Sequence, residues 1–165
     1  WARTPEQIPV VRAALYALAD PEFVGYREAG MARPMTEWWN RPADPPKTVW
    51  KSRLELEEIT SNGFDWVRVD NLSVGKARIW EWMFGNEQKS INPSKPNIRA
   101  GIAEVWKGTA ADLAVQATVL NHCKRGTSRI EALFAVGTGT AAVPATMGFE
   151  GLLTEMDISF ATAPE

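Results

Sequence analysis

Residues 93–108 read Pro-Ser-Lys-Pro-Asn-Ile-Arg-Ala-Gly-Ile-Ala-Glu-Val-Trp-Lys-Gly, and this stretch decides the fold class. Ile98, Ile102, Val105 and Trp106 lie at positions i, i+4, i+7 and i+8, the spacing of one face of an α-helix. The prolines before these residues suit a helix start, and the glycine after them suits a helix end. We therefore predict an amphipathic helix here, the clearest in the chain.

Helix signals continue downstream of this stretch. Three hydroxyl side chains each precede a carboxylate by three residues, the pattern of a capping box at a helix start: Thr109 with Asp112, Ser128 with Glu131, and Thr154 with Asp157. The Gly/Thr-rich residues 137–140 predict a flexible loop. Residues 145–153 are compatible with an extended conformation.

Upstream, hydrophobic periodicity and turn residues predict further helices. They cover a first helix beginning near Ile8, a second capped by Asp20, a short piece over residues 34–40, a helix over residues 48–62, and one capped by Asn71 or Ser73 that runs to Phe84. Residues 64–69 alternate apolar and polar side chains too briefly to assign a strand.

These elements add up to an all-α protein, a compact array of six or seven short helices. Three prolines lie within residues 42–46, which predicts an extended, polyproline-like crossing. We place an internal boundary there, between an N-terminal helical arm with its connection (residues 1–47) and a helical body (residues 48–165).

Composition narrows the function classes. The chain has 165 residues with a formal net charge of −2, whereas a dedicated nucleic-acid-binding domain carries a basic excess. A single cysteine, Cys123, excludes an internal disulfide and is expected to be a small buried apolar residue. No apolar run is long enough for a membrane span, so we expect no membrane partner.

No recognisable catalytic pattern is present. The only histidine, His122, adjoins Cys123, and adjacent side chains on a helix point about 100° apart, so the two do not converge on an ion or on each other. The Gly137–Thr140 segment lacks the lysine and the preceding strand of a phosphate loop. We expect no catalytic residue, metal or cofactor. An unrecognised enzymatic site around His122 or Glu57/Glu58 remains the least favoured alternative.

The unusual feature is eight tryptophans, each able to bury roughly 200 Å². On one helix Trp80 and Trp82 lie about 200° apart, so Trp82 faces either a second layer or a partner. Trp38 and Trp39 raise the same problem at about 100°. Apolar side chains that the core cannot accommodate are typical of interfaces. The predicted interface residues are Trp38, Trp39, Pro45, Pro46, Trp50, Trp66 and Trp82.

Several short segments follow one another along the chain: Asp20-Pro21-Glu22-Phe23 with Gly25-Tyr26, Trp39-Asn40-Arg41-Pro42, residues 92–100 (Asn-Pro-Ser-Lys-Pro-Asn-Ile-Arg-Ala), residues 129–134 running into Gly137-Thr138-Gly139-Thr140, and Phe149-Glu150-Gly151 before a final Thr-x-x-Asp. In this order they resemble a diverse group of small helical structural proteins of tailed bacteriophages. The resemblance covers most of the chain, and it transfers no catalytic residues.

The resemblance implies a non-enzymatic virion component that is tail-, tail-tip- or fibre-associated. It would assemble in the host bacterial cytoplasm and contact other virion structural proteins in multiple symmetric copies. A head, capsid-associated or neck position is the first alternative. The second is a phage accessory domain that binds nucleic acid. It requires Lys51, Arg53, Arg78, Lys95 and Arg99 to form one stripe.

Overall fold

A computed structural model describes residues 4–164 of the chain, so Trp1 lies outside the described residues. This part is mainly helical, with ten helices and four short strands that form two two-stranded sheets. The helices are α1 (Gln7–Ala17), α2 (Pro21–Glu28), α3 (Ala32–Asn40), α4 (Leu56–Thr60), α5 (Trp66–Asp70), α6 (Val74–Met83), α7 (Pro96–Val105), α8 (Ala110–His122), α9 (Arg129–Phe134) and α10 (Glu155–Thr162).

The strands are β1 (Thr48–Trp50), β2 (Leu54–Glu55), β3 (Ser90–Ile91) and β4 (Lys124–Gly126). Strand β1 pairs with β4, and β2 pairs antiparallel with β3, with Leu54 opposite Ile91. The mainly helical prediction is thus confirmed, whereas all-α and a count of six or seven helices are not accurate. No helix between residues 4 and 164 combines the length and the apolar character needed to cross a membrane.

The predicted helix starts with side-chain caps are confirmed. The Asp20 carboxylate accepts hydrogen bonds from the backbone N–H groups of Glu22 and Phe23 at 3.0 and 3.2 Å and begins α2. Complete capping boxes begin α8, α9 and α10 at Thr109, Ser128 and Thr154. Each cap supplies an acceptor to a backbone donor that has no partner within the helix, so a few residues suffice to fix the start.

The single helix predicted over residues 48–62 is wrong. Residues 48–50 form β1, whose Thr48 and Trp50 backbone N–H groups donate to Gly139 and Ala145 carbonyls at 2.7 and 3.1 Å. Strand β2 follows, and only residues 56–60 are helical. The partners of both strands lie far away in sequence, so no local pattern reveals them. Residues 64–69 contain no strand either: Asp65 caps the short helix α5.

Contacts within the chain divide it into two compact units. The first contains residues 1–47, 126–135 and 148–165, and the second contains residues 48–125 and 136–147. The predicted boundary after residue 47 coincides with a boundary between these units. The predicted body of residues 48–165 is not one unit, however, because two of its segments belong with the N-terminal residues.

The proline-rich crossing belongs to the first unit. It is irregular rather than polyproline-like: Pro42 forms an isolated bridge with Ser128, and the Asp44–Pro45 peptide bond is cis. The Ala43 N–H donates to the Thr127 carbonyl at 2.9 Å, and the Thr127 N–H donates to the Lys47 carbonyl at 3.1 Å. These hydrogen bonds attach the returning segment at residues 126–135 to the N-terminal part of the chain.

The core of the first unit is built around helix α3, which contacts α2, α9 and α10. Phe23, Trp38 and Trp39 meet there, with ring centroids 4.9 to 6.0 Å apart. The other buried residues of this core include Val11, Leu15, Ile130, Phe149 and Ile158.

The core of the second unit lies between α6, α7 and α8. Trp106 is fully buried, and its ring centroid lies 5.3 Å from that of Trp80 and 6.3 Å from that of Phe64. Helices α6 and α7 approach closely, since a Cβ atom at Gly101 would lie 3.3 Å from the Met83 sulfur. Among the described residues the indole N–H of Trp106 has no hydrogen-bond partner. Burying this N–H without a partner costs on the order of 1–3 kcal/mol, and the packing of the Trp106 ring must offset that cost.

The close approach of Gly148 to the backbone provides a test of the first unit. A Cβ atom at this position would overlap the carbonyl oxygen of Phe134, whereas one at Gly25, in the exposed middle of α2, would meet nothing within 4 Å. We expect Gly148→Ala to lower the free energy of unfolding by more than about 2 kcal/mol. Gly25→Ala should raise it by about 0.5–1 kcal/mol.

Urea titrations of both variants beside the wild type measure the two effects. A Gly148→Ala variant as stable as the wild type would contradict the described contact.

Candidate protein–protein interface

Two of the predicted interface residues, Trp66 and Trp82, are strongly exposed. Trp66 retains 61% of its accessible surface and Trp82 retains 75%. They lie on the neighbouring helices α5 and α6 of the second unit. Val67, next to Trp66 in the chain, and Val74, at the start of α6, are exposed to 61% and 75%. We call the exposed side of these two helices the α5–α6 surface.

The orientation of α6 follows from its aromatic residues. Trp80 and Phe84 are buried with ring centroids 4.9 Å apart, and they lie four positions apart on the same face. Trp82, halfway between them in sequence, therefore projects from the opposite face. The sequence left open whether this residue faces a second layer or a partner. Trp82 is 75% exposed, so no second layer covers it in this chain, and the partner stays a prediction.

Two local features position Trp66 at the surface: a contact with the Phe64 ring and the capped start of α5. Its ring meets that of Phe64 edge to face, with centroids 5.1 Å apart and an angle of 81° between the rings. The Asp65 carboxylate accepts a hydrogen bond from the Val67 N–H at 3.2 Å and begins α5. Trp66 is the first residue of α5, so the cap at Asp65 fixes the backbone that carries the exposed indole.

A groove runs between α5 and α6. Val69, Leu72 and Ala77 are half-buried within it, and Trp66 and Val74 are exposed along it. Its remaining lining residues are charged and exposed: Asp70, Arg78 and Glu81. Among residues 4–164 none of these three side chains has an ion-pair or hydrogen-bond partner, so both signs of charge are available to a binding partner.

The expectation that Trp38 and Trp39 cannot both enter the core is wrong. They are exposed to only 6% and 4%. Helix α3 packs against α2, α9 and α10, so more than one of its faces is covered. The Arg129 guanidinium lies 3.8 Å above the Trp38 ring and donates to the Trp38 carbonyl at 3.3 Å, which closes the remaining side.

Pro45 and Pro46 are exposed, as predicted for interface residues. Pro45 lines a cleft of the first unit together with Trp38 and Trp39, so the structure brings three of the predicted residues together there. The two cations at this cleft are already engaged. Lys47 donates to the carbonyl of Ala135 at 3.0 Å, and Arg129 lies on Trp38.

Trp50 is half-buried in the second unit and not an outward-facing ring. The Arg99 guanidinium lies 4.5 Å from its ring centroid, and the Lys124 ammonium lies 5.5 Å from it. Arg99 also donates to the carbonyls of Pro93 and Ser94 at 2.7 and 2.9 Å. These contacts give Trp50 a place within the unit without a partner chain.

His122 and Cys123 end α8. Cys123 is fully buried, as predicted, and burial raises the pKa of its thiol to about 12. The thiol is therefore protonated near neutral pH. Within residues 4–164 no group of three or more His, Cys, Asp or Glu side chains is placed to hold a metal ion.

Sequence reasoning missed a second exposed apolar row. Leu152, Met156 and Phe160 are exposed to 64%, 67% and 59% in the first unit, at and along α10. The spacing of four residues was a signal that could have revealed them.

Comparisons with known proteins give no guide to this surface. No protein family, no curated protein and no solved structure matches the chain.

The exposure of Trp66 and Trp82 can be measured by fluorescence quenching. In dilute solution acrylamide should quench a readily accessible fraction of the tryptophan emission, because these two rings are the most exposed of the described tryptophans. The double variant Trp66→Phe/Trp82→Phe should lower the quenchable fraction of the total tryptophan emission. Trp50→Phe, which removes a half-buried ring, is the control and should change it less. An unaltered quenching curve in the double variant would contradict the described exposure.

Proposed function

We propose that this chain is a non-enzymatic structural subunit that acts through protein–protein contacts at the α5–α6 surface. Its setting is a tailed-phage particle, in which it is tail-, tail-tip- or fibre-associated and present in multiple symmetric copies. The setting rests on the sequence resemblance. The surface rests on the geometry of α5 and α6.

The observation that carries the proposal is the exposure of Trp66 and Trp82 on neighbouring helices. Tryptophan is enriched at the energetic centres of interfaces, because it removes a large apolar area from water on binding. At about 25 cal/mol per Å², covering what remains exposed of these two rings would contribute several kcal/mol. Val67 and Val74 extend the same apolar area.

The nucleic-acid alternative is supported less well. Of the five cations it requires, Lys51 pairs with Glu58 at 2.9 Å, Arg53 pairs with Glu55 at 2.7 Å, and Arg99 lies on the Trp50 ring. Cations already neutralised or stacked within the chain contribute less to a phosphate-facing stripe. A head or neck position within the particle stays an alternative to the tail.

Incorporation into particles tests the proposal. We expect the double variant Trp66→Ser/Trp82→Ser to fold, because both rings are exposed, but to be depleted at least roughly tenfold from purified particles. Tyr16→Ser is the matched control, since it removes an aromatic ring that is 55% exposed in the first unit. Quantitative mass spectrometry of particles produced with each variant, beside circular dichroism of the isolated chains, measures both properties.

Two results would count against the proposal. One is a wild-type chain that never sediments with purified particles. The other is a double variant that enters particles as fully as the wild type and the Tyr16→Ser control.

A further inference from the structure

The exposed face of α6 carries a stripe that can match a second copy of itself. Val74, Arg78 and Glu81 follow one another at spacings of four and three residues, which keeps them on one side of the helix. All three are exposed. Trp82 lies on one flank of this stripe. Ala77, at the groove that Trp66 lines, lies on the other flank, about 140° around the helix from Trp82.

Arg78 and Glu81 are three positions apart, a spacing at which opposite charges often pair within a helix. Within α3, Arg33 pairs with Glu37 four positions away at 3.0 Å, and Lys107, just beyond the end of α7, pairs with Glu104 three positions away at 2.6 Å. Arg78 and Glu81 make no such pair, and neither has another partner among residues 4–164. The stripe thus presents one free cation and one free anion side by side.

We propose that two copies of this chain associate through α6, with the two helices antiparallel about a two-fold axis. Centring the axis between residues 79 and 80 brings Arg78 of each copy level with Glu81 of the other. The two-fold operation makes this ion pair twice. The same helix pairing places Trp82 of each copy along one edge of the contact. This inference rests on the proposed function and names the partner for its surface.

Charge order favours a second copy over a partner of another kind. A stripe with an adjacent positive and negative charge is complementary to its own reverse, whereas a partner of a single sign would leave one of the two charges facing a like charge. A two-fold axis perpendicular to the helices makes them antiparallel and therefore places the reversed charge order opposite the original one.

The aromatic area fits a contact of ordinary size. Each copy contributes Trp66 and Trp82, so four exposed rings are available, together on the order of 600 Å². A stable interface buries about 1,600 Å² in total. The rings would thus provide more than a third of that area, and Val67, Val74 and the charged stripe lie next to them to supply more.

Charge reversal tests this arrangement. Sedimentation equilibrium of the full chain, at concentrations up to about 1 mM, should show a monomer–dimer equilibrium for the wild type. Arg78→Glu and Glu81→Arg should each weaken self-association by at least roughly tenfold, because each places like charges opposite one another. An equimolar mixture of the two variants should form dimers again, since each variant then supplies the charge that the other lacks.

The matched control is Arg33→Glu, which reverses one charge of an exposed ion pair on α3 and should leave self-association unchanged. A wild-type chain that stays monomeric, single variants that dimerise like the wild type, or a mixture that does not recover dimers would each overturn the two-fold contact. A chain that is monomeric alone but enters particles through Trp66 and Trp82 would overturn this contact while leaving the proposed function intact. Particle incorporation that does not need the two tryptophans would contradict the proposed function instead.

Discussion

An edge-to-face row of aromatic rings joins the core of the second unit to its surface. Trp80 meets Trp106 with ring centroids 5.3 Å apart, Trp106 meets Phe64 at 6.3 Å, and Phe64 meets Trp66 at 5.1 Å, with angles of 79° to 85° between successive rings. This geometry is favourable for aromatic pairs. Trp80 faces the core, and Trp82, about 200° around α6 from it, points away from the core and is 75% exposed. At the other end of the row Trp66 is 61% exposed. The row therefore links the buried rings of the second unit to a ring that is available to a partner.

The sequence predicted the parts of the fold that are encoded locally. Helix starts at Asp20, Thr109, Ser128 and Thr154 each depend on a side chain and backbone groups within three residues, and all four are correct. The strands were not predicted, because their pairing partners lie far away in the sequence. Leu54 pairs with Ile91, and no feature of residues 48–62 indicates that partner. The sequence also does not reveal that two later segments return to the first unit, because this depends on long-range contacts.

The same distinction explains which of the candidate interface residues are exposed. Helical geometry places Trp82 on the face of α6 opposite Trp80, and the structure shows that no second layer covers that face, since Trp82 is 75% exposed. Trp38 and Trp39 obey the same geometry but are buried, because α3 is covered on several sides by elements that come from elsewhere in the chain. Helix spacing predicts the angle between two side chains. It does not predict how many neighbours surround the helix.

The central claim is that the α5–α6 surface is covered when the chain is assembled. Hydroxyl-radical footprinting of the isolated chain and of the assembled chain, read out by mass spectrometry, tests it at single residues. The account predicts that oxidation of Trp66 and Trp82 falls sharply on assembly, while that of Tyr16, exposed to 55% in the first unit, stays the same. Equal oxidation of the two tryptophans in both states would contradict it.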